Sequence, residues 1–263
     1  IFALAAIFAP VLAPHDPLLV DVSIKLKNPS AAYPLGTDQL GRCILSRLLY
    51  GAQTTLLNSL VVLAGILLIG IPLGLISGFC GGWIDNLIMR FADIVSTFPS
   101  SLLALAVVSV FGAGLQNVMI VLVALWWAPF ARILRSQVLK IKEKDFVMAA
   151  KASGTSKFKI VINHVLLNSI SPIIVYSTLR VAAVIMHIAS FSFIGLGTQP
   201  PAADWGVMLS DSKQFISTAP LMMIWPGLSI MLVVFSLNMF GEGLNEALMP
   251  GGNKKAKQLG DGE

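Results

Sequence analysis

Leu56 to Gly78 is a run of 23 residues without a single charge. A run of that kind has few ways to fold. Crossing a hydrocarbon core about 30 Å thick takes roughly 20 residues of α-helix. Inside lipid every backbone N–H and C=O must also be bonded within the protein, so an isolated run has to be helical. Composition agrees. Hydrophobic residues make up 56% of the chain and charged residues 12%, whereas an ordinary soluble domain carries roughly a quarter charged residues. The solvent of this chain is mostly lipid.

Further runs repeat the pattern. Phe91 to Phe111 starts past Arg90 and carries Asp93 near its entrance, and Gly112, Ala113 and Gly114 then mark a turn. Leu115 to Ile133 follows, ending among Arg132 and Arg135; Ile170 to Ile194 is apolar except for Arg180 and His187; Leu221 to Leu244 is the last. Ile1 to Ala13 is apolar but too short to span. It is expected to be the outer half of a first helix whose start is missing, with a cleaved signal peptide as the competing reading. The expectation is an all-α membrane protein of about six transmembrane helices, the first truncated. Its segments are a partial helix (1–13), an outer loop and interfacial helix (14–55), a permeation domain (56–250) and a tail (251–263).

Charge sets the sidedness. Between Arg132 and Lys159 stand eight Lys or Arg against two acids, Glu143 and Asp145. Loops rich in Lys and Arg stay in the cytoplasm, so the loop at about 136–168 is expected inside. Alternation then puts both termini inside, with Lys254, Lys255 and Lys257 in the tail, and leaves 14–55 and 195–220 outside. The net charge of +5 is confined to segments between apolar runs and forms no continuous basic face, which excludes nucleic-acid binding. Cys43 and Cys80 have no partners at metal-ligand spacing and are expected to fill small apolar gaps.

In the outer segment, Pro14 to Pro17, Asn28 to Ser30 and Tyr33-Pro34 read as loop and turn. From Asp38 the text becomes helical, with Ile44, Leu45, Leu48 and Leu49 opposed by Arg42 and Arg47, a pattern suited to a helix lying at the interface. Trp83 and Trp205 are expected near the interfaces, and Trp126 and Trp127 inside a span.

The basic loop carries the functional signal. Phe146, Val147, Ala149 and Ala150 begin an apolar face, Gly154 interrupts it, and Phe158, Ile160, Val161, Val165 and Leu166 resume it. That predicts two short helices around a glycine break. The alanines leave a surface on which another protein can pack closely, ringed by Lys151, Lys157 and Lys159. A loop that only fixes topology is the alternative. The run Ala149-Ala150-Lys151-Ala152-Ser153-Gly154, with His164-Val165-Leu166 and Asn168 downstream, resembles the EAA loop of ABC importer permeases. Leu35-Gly36-Thr37-Asp38 with Gly41-Arg42 and Ser46-Arg47 is similar to the peptide/nickel branch of that superfamily. So are Arg90-Phe91-Ala92-Asp93 with Phe98-Pro99, Ser192 to Gly197 with Asp204-Trp205-Gly206, and Trp225-Pro226-Gly227 with Asn238, Gly241 and Gly243. The chain departs from the pattern at Met148, Leu167 and Cys43, where an acid, a proline and an aspartate are usual.

The resemblance implies a type I ABC importer permease. It implies pairing with a second, homologous permease subunit, two cytoplasmic ATPase subunits and an extracytoplasmic solute-binding protein. Ala149, Ala150, Lys151, Ala152, Ser153 and Gly154, with Phe158 and His164, would couple to the ATPases. No G-x-x-x-x-G-K-[ST] phosphate cradle occurs in the chain. It is therefore expected to bind no cofactor and to be no enzyme itself, ATP and Mg residing on the partners. Ionisable groups within a bilayer usually face the bundle interior or a wet path, which makes Arg180 and His187, with Met186 beside it, the candidate cargo path. Arg180 can attract an anionic cargo or merely bond to its neighbours. Imidazole and thioether are both metal donors, and Met186-His187-Ile188-Ala189 is similar to the nickel-type branch. Nickel or another transition metal, carried as a small organic chelate with His187 a transient ligand, is the expected cargo. Dipeptides or oligopeptides are the alternative. An ion channel or ion-coupled carrier is a third reading, and no internal repeat supports it.

Overall fold

In the computed structural model residues 2–248 are described; the tail 251–263 and its lysines lie outside the described residues. The regular elements of the described residues are helices, with one isolated β-bridge, Thr37 to Cys43. Two short helices open it, α1 (Phe2–Ile7) and α2 (Ala9–Leu12). Then come α3 (Ile44–Cys80), α4 (Gly82–Thr97), α5 (Ser100–Phe111), α6 (Leu115–Ile141) and α7 (Asp145–Ala152). The last three are α8 (Lys157–Phe193), α9 (Trp205–Ser212) and α10 (Leu221–Leu248). Four helices, α3, α6, α8 and α10, are long and apolar enough to cross a membrane, and α4 with α5 counts as a fifth crossing if taken as one broken span.

Several boundaries differ from the sequence reading. The stretch expected as a separate interfacial helix is the first part of α3, because nothing after Ile44 breaks the helix before Cys80. The span expected over Phe91–Phe111 is interrupted at Phe98-Pro99, where proline biases the residue before it away from helix. The second short helix of the basic loop is no separate element. It runs into α8 through a stretch of π-helix, Ile160–Leu166.

Contacts divide the chain into two units, and α3, α6, α8 and α10 contribute residues to both. The first comprises Ile1–Ala64, Pro99–Val123 and Val181–Phe235. Its centre is Trp205, 1% exposed, whose indole N–H donates to the Leu48 carbonyl at 3.0 Å. Gly51 lets that ring in, since a Cβ there would stand 2.9 Å from it. Trp205 is thus packed among protein groups and not displayed on the surface. Arg42 and Arg47 are buried as well, instead of forming a wet helix face. Asp38 accepts from Arg42 Nε at 2.6 Å and lies 3.6 Å from Arg47 Nε, and Arg42 reaches Asp211 at 3.3 Å. Arg47 also donates to the carbonyls of Pro17 and Pro201. Asp38 caps no helix; it closes a turn by accepting from the backbone N–H groups of Leu40 and Arg42. Cys43 fills a buried gap as expected.

The second unit comprises Gly65–Phe98, Ala124–Arg180 and, among the described residues, 236–248. In it Gly70, Gly74 and Gly78 lie on one face of α3 and meet α6 at Phe130, Ala131 and Val138. A Cβ on Gly74 would stand 2.7 Å from the Ala131 carbonyl oxygen, and one on Gly78 2.7 Å from Val138. Small residues at this spacing let helix backbones approach closely in membranes. Ala92, Trp127, Ala128 and Ala131 form a buried cluster with Leu73 and Val95, fastening α4 to α6. Asp85 accepts two bonds of 2.5 Å from the Arg135 guanidinium and one from the Ser77 hydroxyl. Arg132 bonds to Asp93 at 2.9 Å and to Ser96 at 3.1 Å. Cys80 is exposed and fills no apolar gap.

Candidate coupling surface and cargo path

Helix α7 is built to end sharply. Asp145 sits in its first turn and Lys151 in its last, each complementing the helix dipole. At the other end Gly154 takes φ +77°, the Gly154 N–H donates to the Lys151 carbonyl, and the Thr155 N–H donates to the Ala150 carbonyl. That pair of bonds is a Schellman motif, in which a left-handed glycine satisfies the last free carbonyls. A Cβ on Gly154 would meet nothing within 4 Å, so conformation alone requires glycine there.

Val147 is the buried anchor of α7. Phe146, Met148, Ala149, Lys151, Ala152, Ser153 and Gly154 are exposed, Ala150 is half-buried, and Phe158 is 78% exposed. His164 lies beneath, its ring 6.5 Å from that of Phe146, while Asn168 donates back to the His164 carbonyl at 2.6 Å. The result is a short, small-residue helix with exposed apolar side chains on its flanks. Such a surface suits insertion into a protein groove.

Arg180 belongs to the second unit and His187 to the first. The Arg180 guanidinium stands 5.6 Å from the centroid of the Trp126 ring, lies over the Tyr176 ring at 4.7 Å, and donates to the Tyr176 hydroxyl. Aromatic faces hold it in place as cation–π partners. Among the described residues no carboxylate is paired with it. His187 Nδ1 lies 2.9 Å from the Ala183 carbonyl, and its ring is 6.4 Å from Phe191. Met186 is 46% exposed, whereas Met208 and Met222 are buried. Among the described residues no three His, Cys, Asp or Glu side chains gather where they could hold a metal.

Residues 70–251 match the family described as the binding-protein-dependent transport system inner membrane component. The chain is 46% identical to the dipeptide transport system permease of Alkalihalophilus pseudofirmus, covering 95% of this chain and 82% of that protein. This chain is a permease of the peptide/nickel ABC importer family. The nickel transport system permease of Escherichia coli K12 is 38% identical over 95% of this chain and 90% of its own length. A glutathione transport system permease of Pectobacterium atrosepticum is 40% identical over 93% and 82%. Among solved structures, the inward-facing MetNI methionine ABC transporter superposes with a TM-score of 0.63 at 17% identity, covering 78% of this chain and 97% of that one. At that identity the likeness is one of fold.

Three features of this permease escaped the sequence reading. The Gly70, Gly74, Gly78 stripe was legible as small residues four apart. The Asp85–Arg135 pair joins residues 50 positions apart, and the Asp38–Arg42–Asp211 chain joins residues 169 apart. For those two no local pattern names the partner.

Proposed function

We propose that this permease forms, with a second homologous subunit, the membrane path of an importer driven by two cytoplasmic ATPases and fed by an extracytoplasmic binding protein. The observation that carries the reading is the exposed, Schellman-capped helix α7, continued by Gly154 and Phe158 into a spanning helix. Ala149 to Gly154 sit in a groove of an ATPase, and His164 braces them through Phe146. ATP and Mg bind those partners. The helix α7 side and both termini face the cytoplasm, in keeping with the eight cations of this region. Closure of the ATPases moves α7, and α8 carries the displacement into the bundle, a two-state element biased by nucleotide.

The cargo we favour is a small peptide, because over the aligned residues this chain is 46% identical to the dipeptide permease and 38% identical to the nickel permease. Arg180, held over Trp126 and Tyr176 and without a carboxylate partner among the described residues, supplies a positive charge that a peptide carboxylate can meet. A metal chelate passing His187 and Met186 is the second reading, favoured by the likeness to the nickel permease. A reconstituted assembly in proteoliposomes decides. ATP-driven accumulation of a labelled dipeptide, reduced by Arg180→Met, is expected. Accumulation of a nickel–histidine chelate alone, reduced by His187→Ala, would reject the peptide reading.

A further inference from the structure

Beside the coupling surface, α3 and α8 leave two adjoining cavities in the second unit. One, about 520 Å³, is an apolar groove lined by Ile71, Leu75, Ile76 and Phe79 on α3 and by Phe158 and Ile162 on α8. The other, about 560 Å³, is lined by Lys142, Lys151, Lys157 and Thr155. Phe79, Cys80 and Lys157 belong to both, so the groove opens into the basic cavity. Among the described residues no carboxylate lines either one, and Glu143 and Asp145 are exposed and outside them. Lys142 is pinned by its bond to the Gly78 carbonyl at 2.9 Å. The π-helical stretch Ile160–Leu166 is wound with i→i+5 bonds, and it shapes the α8 wall.

We propose that this groove binds one anionic phospholipid, an acyl chain lying between α3 and α8 and the headgroup phosphate meeting Lys157 and the Thr155 hydroxyl. Length supports the assignment. From Ile71 to Cys80 is nine residues of rise, about 13 Å, close to the depth of one leaflet, half of the ~30 Å hydrocarbon core. Charge supports it too, since basic pockets between spanning helices on the cytoplasmic side suit anionic headgroups. The proposal rests on the cytoplasmic placement of α7 argued above. It goes further, by making the lipid a brace for the helix pair that bears the coupling surface.

The test uses the complete permease–ATPase assembly in detergent, exchanged with equal amounts of phosphatidylglycerol and phosphatidylcholine and read by native mass spectrometry. Phosphatidylglycerol retained in preference to phosphatidylcholine is expected. Lys157→Gln should lower the preference roughly fivefold, at the usual strength of one lysine near a membrane surface, and Lys157→Arg should keep it. Ile76→Trp, at an exposed position in the groove, should displace the lipid with all lysines intact; free phosphate binding would survive that change. Equal retention in wild type and the glutamine variant overturns the proposal. So does release of the second permease by Ile76→Trp, which would make the groove a subunit interface. ATPase co-purification, followed in the same samples, reports on the coupling reading separately.

Discussion

At the scale of single residues, Gly154 and Asp204 carry the clearest predictions. Gly154 needs its left-handed φ and no space. Gly154→Val should therefore weaken the end of α7 by about 1–2 kcal/mol or more and lower ATP-driven uptake while the protein still inserts. Gly154→Asn, which tolerates that conformation, should keep most of the activity. Normal uptake by the valine variant would separate α7 from coupling. Asp204 caps α9, accepting from the Gly206 and Val207 N–H groups, and lies near the Thr55 hydroxyl. Burial pushes its carboxyl above the ordinary aspartate value, and these hydrogen bonds oppose the shift only in part. Between the ordinary value, about 3.9, and the raised one, the folded state holds a proton that the unfolded state lacks. Its contribution to stability thus grows as pH falls through the raised value and shrinks as pH rises. Relative to Asp204→Asn, the wild-type melting temperature should improve on going from pH 8 toward pH 4. A constant difference would refute the assignment.

At the scale of elements, the contact between α3 and α6 depends on the absence of side chains at Gly70, Gly74 and Gly78. Gly74→Leu must move the α6 backbone, and a cost of roughly 1–3 kcal/mol is expected from overpacking. Gly243→Ala, in α10 with nothing within 4 Å, should be neutral or slightly stabilising. Thermal unfolding in detergent compares the two, and equal melting temperatures would contradict the packing account. The Asp85–Arg135 pair holds α4 against α6 with two short bonds. A double-mutant cycle with Asp85→Asn and Arg135→Met should give a coupling of about 0.5–3 kcal/mol. Additivity would mean the pair is incidental.

At the scale of the whole molecule, the spans read from hydropathy lie on helices of the structure, except for the break inside Phe91–Phe111, and their ends do not coincide. Leu56–Gly78 was visible because it is long, apolar and without charge. The longer helix from Ile44 was hidden because Arg42 and Arg47 looked like a solvated face until their buried partners were known. The break at Phe98-Pro99 was legible in the proline and outweighed by the apolar run around it. The small-residue face of α7 was readable from spacing, and its glycine break was expected; the bonding that closes the helix was not. For the assembly, purification with its neighbours should bring down two ATPases, and solitary purification in mild detergent would count against the importer architecture.

What the sequence determined alone was the medium, the helical class and the family, since an unsatisfied backbone in lipid is costly enough to leave one secondary structure for each apolar run. Tertiary structure decided which polar groups are buried. Arg42 meets Asp38 and Asp211, Asp85 meets Arg135, and Trp205 meets Leu48. Apart from Asp38 with Arg42, each of these contacts draws on residues from different helices or loops, and the free energy of burying a charge depends on the partner the fold brings to it.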